Sequence, residues 1–180
     1  MPVVDEGAFR YQFPDHWTAV KFDGISFYLK SFQKFAGGNK AVDVVAVEPR
    51  SNGRACTLWL IEAKDYRVHP REKMVPVGQE LAEKALGTLA CLLAGRANAG
   101  DTGQVMADRV WNDAMQIEKI RFVFHFEQPD KPSRLFPQPI DPKSIKDDIR
   151  RSLRAVDPHP DGGGFTTING RGFGWQIAPI

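Results

Sequence analysis

Only two of the 180 residues are cysteines, Cys56 and Cys91, which is too few for a disulfide framework and makes a reducing, cytoplasmic setting the simple expectation. Long apolar runs are missing too. Leu81 to Leu93 comes nearest, but Glu83, Lys84 and Thr88 interrupt it, and it falls short of the roughly 18 residues that cross a bilayer. No membrane partner is therefore expected. The chain opens Met-Pro-Val-Val-Asp-Glu, without the basic start and apolar stretch of a signal peptide. His16, His69, His125 and His159 show no metal-ligand spacing, and the two cysteines make no zinc pair. There is no GxxxxGK[ST] loop for nucleotide phosphates and no GxSxG nucleophile elbow. The glycine-rich Gly170-Arg-Gly-Phe-Gly174 opens no helix and reads as turn geometry.

Excess charge of one sign is also scarce, with 24 Lys and Arg against 22 Asp and Glu. Its distribution is uneven. Lys30 to Lys73 holds nine basic against five acidic residues, while residues 74–180 hold thirteen of each. A basic surplus there would suit a polyanion, and Lys40, Arg67, Arg71 and Lys73 are the candidate phosphate contacts.

At 42% hydrophobic, the chain can bury one real core. The pattern predicts a single domain over residues 1–160, with a C-terminal hairpin at 161–180 packed on it. Phe9 to Phe13 and Trp17 to Phe22 read as short strands. Asp23 can cap a helix reaching Phe35, with Ile25, Tyr28, Leu29, Phe32 and Phe35 at the spacing of one buried face. Val77 to Leu93 reads as a helix stopped by Gly95, and Thr102 to Ile117 as a weaker one. Ile120 to Phe126 alternates as a strand. Proline-rich 129–142 is a connection, and Ser144 starts a late helix whose stripe is Ile145, Ile149 and Leu153. Gly162-Gly163-Gly164 reads as a joint, and Asn169-Gly170 as the turn of a closing hairpin from Phe165 to Ile177. The order implies an α/β fold, a central mixed sheet flanked by helices.

Two apolar runs carry the chemistry. Ala41 to Val47 contains Asp43, and Thr57 to Lys64 ends in Glu62-Ala63-Lys64. Asn52-Gly53 between them is a strong hairpin signal. A two-residue turn there sets Asp43 opposite Glu62, Val45 opposite Leu60 and Val47 opposite Leu58. A bulge near Pro49 would shift the register by one. Directly opposed carboxylates have Cβ atoms about 4.5–5.5 Å apart, close enough to share a cation. Lys64 lies on the same strand face as Glu62. Three charges at the inner end of an apolar strand are costly unless they bind something. The competing reading is an ordinary salt bridge at a sheet edge.

An Asp on one strand, a hairpin, then Glu-x-Lys on the next, with helices around, resembles the core of the PD-(D/E)XK nuclease superfamily over roughly residues 20 to 126. Val42 stands where many members have proline. The resemblance implies a restriction-endonuclease-like core and hydrolysis of phosphodiester bonds, in DNA more often than RNA. It implies Mg²⁺ or Mn²⁺ held by Asp43, Glu62 and the Ala63 backbone carbonyl, with Lys64 assisting attack. Asp23 is the candidate third acid, although capping alone would explain it; Glu6 sits in an expectedly loose terminus. Gln79 and Lys84 match a helix position some members use, and a solvated helix face is the plainer reading. A homodimer or a partner subunit fits a domain of this size. The alternative is a catalytically silent module of the same fold, serving a restriction, defence or toxin-immunity system.

Overall fold

The computed structural model describes residues 1–51, 56–67, 71, 75–98, 105–129, 131 and 140–180. In chain order the strands are β1 (Val3–Glu6), β2 (Phe9–Gln12), β3 (Thr18–Lys21), β4 (Val44–Glu48), β5 (Thr57–Asp65), β6 (Lys119–Glu127), β7 (Asp161–Gly163) and β8 (Gln176–Pro179). The helices are α1 (Val77–Asn98), α2 (Val105–Asp113), α3 (Pro142–Leu153) and the short α4 (Phe165–Asn169). β3, β4, β5, β6 and β7 form a five-stranded sheet in that order, antiparallel from β3 to β5 and parallel from β5 to β7. β1, β2 and β8 form a second, antiparallel sheet. The fold is α/β, with a mixed sheet flanked by helices.

Strand alternation divides the large sheet's side chains between two cores. Val45, Val47, Leu58 and Leu60 meet Leu81, Ala85 and Leu92 of α1 and Ile145, Ile149 and Leu153 of α3. Val44, Ala46, Trp59 and Ile61 meet Tyr11, Phe13, Trp17, Trp175 and Ile177 on the side of the second sheet. A sheet covered on both faces explains why β4 and β5 read as nearly unbroken apolar runs. A buried polar chain crosses the second interface: the Tyr11 hydroxyl shares a 2.6 Å hydrogen bond with His125 Nδ1, and His125 Nε2 lies 3.1 Å from Glu127 Oε1.

The register expected across β4 and β5 is present, with Val45 opposite Leu60 and Val47 opposite Leu58. The Asn52-Gly53 turn itself lies outside the described residues. Other expectations need correcting. The 161–180 segment is no hairpin: β7 extends the large sheet, and Asn169-Gly170 closes α4. The Phe165 N–H at the start of α4 donates to Glu127 Oε1 at 2.6 Å, a partner 38 residues away in sequence. The N-terminus is not loose, since β1 pairs along β2. The helix expected from Asp23 is broken into a 3₁₀ turn (Phe22–Gly24) and a π-helical turn (Tyr28–Phe32), and this break leaves Leu29 and Phe35, expected on its buried face, exposed. α3 begins at Asp141, whose side chain accepts from the Lys143 and Ser144 N–H groups, instead of at Ser144.

α1 runs past Gly95, which is no terminator; a Cβ there would press on the Trp111 ring. Gly87 is tighter still, because a Cβ would overlap the Lys40 carbonyl oxygen. At the next residue, Thr88 Oγ1 accepts from the Val42 N–H at 2.9 Å. These contacts seat α1 against the lead-in to β4. Gly87→Ala should therefore destabilise the protein by about 1–3 kcal/mol, despite the helix preference of alanine. Urea denaturation measures this, and an unchanged or raised midpoint would mean that α1 docks less closely.

Candidate functional site

Period-two alternation carries Glu62 and Lys64 onto the same face as Leu58 and Leu60, the face that α1 covers. Glu62 is 0% exposed. Its Oε1 receives Lys64 Nζ at 2.6 Å and Lys84 Nζ, from α1, at 2.5 Å. Asp43 is also buried, just before β4 begins. Its Oδ2 accepts the Ala63 N–H at 2.7 Å, where β4 no longer runs beside β5. Lys64 Nζ stands 3.8 Å from Asp43 Oδ2, and Lys84 Nζ 3.7 Å from Asp43 Oδ1. The structure thus brings Asp43, Glu62 and Lys64 together, as the sequence suggested. An N–H and carbonyl of one residue face the same strand edge, so the Ala63 carbonyl faces the Asp43 side.

Lys84 corrects the solvated-helix reading. It lies on the inner side of α1 with only 12% of its side chain exposed. The sequence did hold a signal for it, because Lys84 follows Leu81 by three residues and precedes Thr88 by four, on the buried stripe. Gln79 is exposed and donates to Glu83, in keeping with a solvated face.

Asp23 sits at the margin of this cluster, half-buried, and makes no side-chain cap bond. Its Oδ1 is buried without a hydrogen-bond partner. Burial first, then the charges of Asp43 and Glu6, raise its carboxyl above the ordinary range. Glu6, pinned by β1, pairs with Lys21 at 2.6 Å. The missed signal is Gly7, which takes φ 57° in the two-residue turn that pairs Glu6 with Phe9.

The proposed phosphate contacts fare less well. Lys40 is bound to Glu83 at 2.9 Å. Arg67 grips Asp65 through Nε at 2.9 Å and Nη2 at 2.6 Å, with its guanidinium over the Phe9 ring. Arg71 is paired with Glu80 at 3.0 Å. Each is already matched by a carboxylate of this chain. Lys73 lies outside the described residues.

The electrostatics follow from burial. Desolvation pushes the Glu62 carboxyl up to about 7; repulsion from Asp43 adds to this, and Lys84 and Lys64 oppose it. Burial works against the Lys64 charge, yet Glu62 and Asp43 outweigh it and raise the Lys64 ammonium above its usual value. Glu62 Oε2 is buried and, among the described residues, has no hydrogen-bond partner. Among the described residues, no three His, Cys, Asp or Glu side chains gather closely enough to enclose a metal ion. The donors at hand are two carboxylates and a carbonyl, all oxygen, with one buried carboxylate oxygen unclaimed. That set fits a hard cation that keeps several of its waters, as Mg²⁺ does, and does not fit zinc.

No family model matches the chain, and no solved structure matches it. The chain is 25% identical over 172 residues to a cysteine–tRNA ligase of Neisseria meningitidis serogroup A, covering 78% of this chain and 23% of that protein. It thus spans under a quarter of the relative's length. No helix among the described residues is long and apolar enough to cross a membrane.

Burial of Glu62 has a consequence for stability. Its value near 7 lies above the ordinary 4.5, so between those limits the folded protein holds a proton that the unfolded chain has lost. Stability should fall as pH rises through that window, by about 1–3 kcal/mol, and level off above it. Glu62→Gln should flatten the slope. Urea midpoints at pH 5 and pH 7.5 test this, and an equal slope in both proteins would exclude Glu62 as its source.

Proposed function

We propose that the chain is a metal-dependent nuclease with a restriction-endonuclease-like core, hydrolysing phosphodiester bonds in nucleic acid, DNA first. The observation that carries this reading is the convergence of two buried carboxylates, Asp43 and Glu62, on two ammoniums at the point where β4 leaves β5. Asp43, Glu62 and the Ala63 carbonyl would hold Mg²⁺ or Mn²⁺. Bound there, the ion would polarise a phosphate oxygen and make a water acidic enough to attack at neutral pH.

The chain's own residues supply the rest. The Ala63 N–H fixes Asp43 through Oδ2 and leaves Oδ1 facing Lys84. Lys64, one-third exposed, is the more accessible ammonium and can turn from Glu62 towards an incoming phosphate, offsetting the charge that builds on it. Lys84, more enclosed, stays with Glu62 and lowers the cost of keeping that carboxylate ionised without solvent. Asp23, with a buried Oδ1 that nothing satisfies, is the third acid of this reading.

One observation favours a second reading. Two ammoniums already balance two carboxylates, so the cluster is electrically complete by itself, as in a catalytically silent module that binds nucleic acid or a partner subunit. The part-length likeness to a cysteine–tRNA ligase favours neither.

Mutation of the two central residues decides between these readings. With Mg²⁺ or Mn²⁺ and labelled DNA, Glu62→Ala and Lys64→Ala should each lower cleavage by about 100-fold or more, with circular dichroism and melting showing a folded protein. Unchanged cleavage in both variants would remove the assignment. If the parent protein neither cuts nor binds divalent cations at millimolar levels, yet retains DNA, the silent module holds.

A further inference from the structure

Between the π-helical turn and β4 the chain makes an unusual excursion. Ala36 adopts φ 52° and ψ 37°, a left-handed conformation that a side chain other than glycine's rarely takes, and Gly37 and Gly38 follow at φ 85° and 122°. The surrounding bonds hold it there. The Asn39 side-chain amide donates to the carbonyls of Phe32 (3.3 Å) and Phe35 (2.5 Å), the Asn39 N–H donates to the Gln33 carbonyl (2.8 Å), and the Tyr28 hydroxyl donates to the Asn39 carbonyl (3.0 Å). What this bracing presents to solvent is an aromatic ring. Phe35 is 64% exposed, with only the edge of the core behind it, at Phe32 (ring centroids 5.9 Å apart). Lys30 and Lys34 precede it in the chain, both exposed and, among the described residues, neither paired with a carboxylate. They differ in this from Lys40, Arg67 and Arg71.

A strained backbone persists only where its surroundings over-determine it, and such strain gathers at functional sites. An exposed ring on a braced loop, preceded in the chain by two exposed lysines, matches what an unpaired base with its phosphates requires: a π-face to stack on and positive charge along the backbone. The loop is also anchored beside the candidate site. Its last residue, Lys40, bonds Glu83, the neighbour of Lys84, and Asp43 lies three residues further on. Eight residues separate Phe35 from Asp43, so the two are no more than about 28 Å apart.

We infer that Phe35 is a base-stacking contact for an unpaired stretch of nucleic acid, with Lys30 and Lys34 meeting its phosphates. It steers a single-stranded segment towards the Asp43–Glu62 cluster. The inference rests on the nuclease reading of that cluster for its direction, and the binding contact can be measured apart from it.

The test uses a fluorescein-labelled thymidine oligonucleotide, and a duplex of equal length, in EDTA so that nothing is cut. Phe35→Ala should weaken binding to the single strand by roughly 5- to 100-fold and to the duplex far less, without a change in melting temperature. Phe35→Trp should restore affinity. Lys30→Ala with Lys34→Ala should lower the dependence of affinity on salt, by about one phosphate contact for each lysine. Equal single-strand affinity in the parent and Phe35→Ala, or no oligonucleotide binding by the parent, overturns the inference. Cleavage in Mg²⁺ by the same preparations separates the two proposals. Cutting that ignores Phe35 leaves the nuclease reading and removes this one. Phe35-dependent binding without cutting does the reverse.

Discussion

β5 lies at the centre of a sheet covered on both faces, so a charge on it has no solvent to turn to. Glu62 occupies such a position at 0% exposure, and an ionised carboxylate there costs several kcal/mol unless cations meet it. Lys64 comes from the same strand and Lys84 from the helix laid across it. The second requirement constrains the fold. α1 must lie close enough for a lysine stem to reach the strand, and Gly87 against Lys40 and Thr88 against Val42 set that distance. The end of β4 follows from the same packing: before Val44 the chain gives up the ladder, and the Asp43 side chain takes the Ala63 N–H that Val42 would have held in a continued ladder. The lateral position of α1, the end of β4 and the charge on β5 are therefore one arrangement.

That dependence explains how much was legible in the sequence. The register of β4 and β5 could be read from the Asn-Gly pair between them, because loop length fixes the pairing of a hairpin; the ladder ends at Val44 and Ile61, one step short of Asp43 and Glu62. Lys84 was legible in principle. It falls on the buried stripe of α1, but lysine stems also lie along apolar surface with their heads in water, so the stripe alone could not say where the ammonium went. Gly95 and Asn169-Gly170 misled because the residue types were right for a terminator and a turn, while remote partners, Trp111 and Glu127, decided otherwise. The second sheet was legible only in its middle strand, β2, which Phe9 to Phe13 announces. It joins β1 and β2 to β8 from opposite ends of the chain, and four-residue strands carry no trace of which distant strand they pair with.

The basic surplus between Lys30 and Lys73 shows how composition and geometry diverge. A count of charges treats Lys40, Arg67 and Arg71 as equals of Lys30 and Lys34. The first three are consumed by Glu83, Asp65 and Glu80. The two that keep their charge for solvent stand beside an exposed aromatic ring. Pairing, more than number, decides where a polyanion would find the surface attractive.

Charge balance also separates the two readings of the central cluster. With both carboxylates ionised, Asp43 and Glu62 against Lys64 and Lys84 sum to zero, and burial together with Asp43 raises the Asp23 carboxyl above its ordinary range. A neutral, enclosed cluster has little attraction for a phosphodiester. A divalent cation would leave an excess of two positive charges, which matches the one negative charge of a phosphodiester together with the one of an attacking hydroxide. On the nuclease reading, then, the two lysines do more than hold the site shut without metal. They make the cluster indifferent to anions until the cation arrives, and complementary to the reacting phosphate afterwards. A single lysine would leave the loaded site one charge short, so the pair on Glu62, which the Glu-x-Lys motif alone does not contain, is the feature that ties the buried carboxylate to this chemistry.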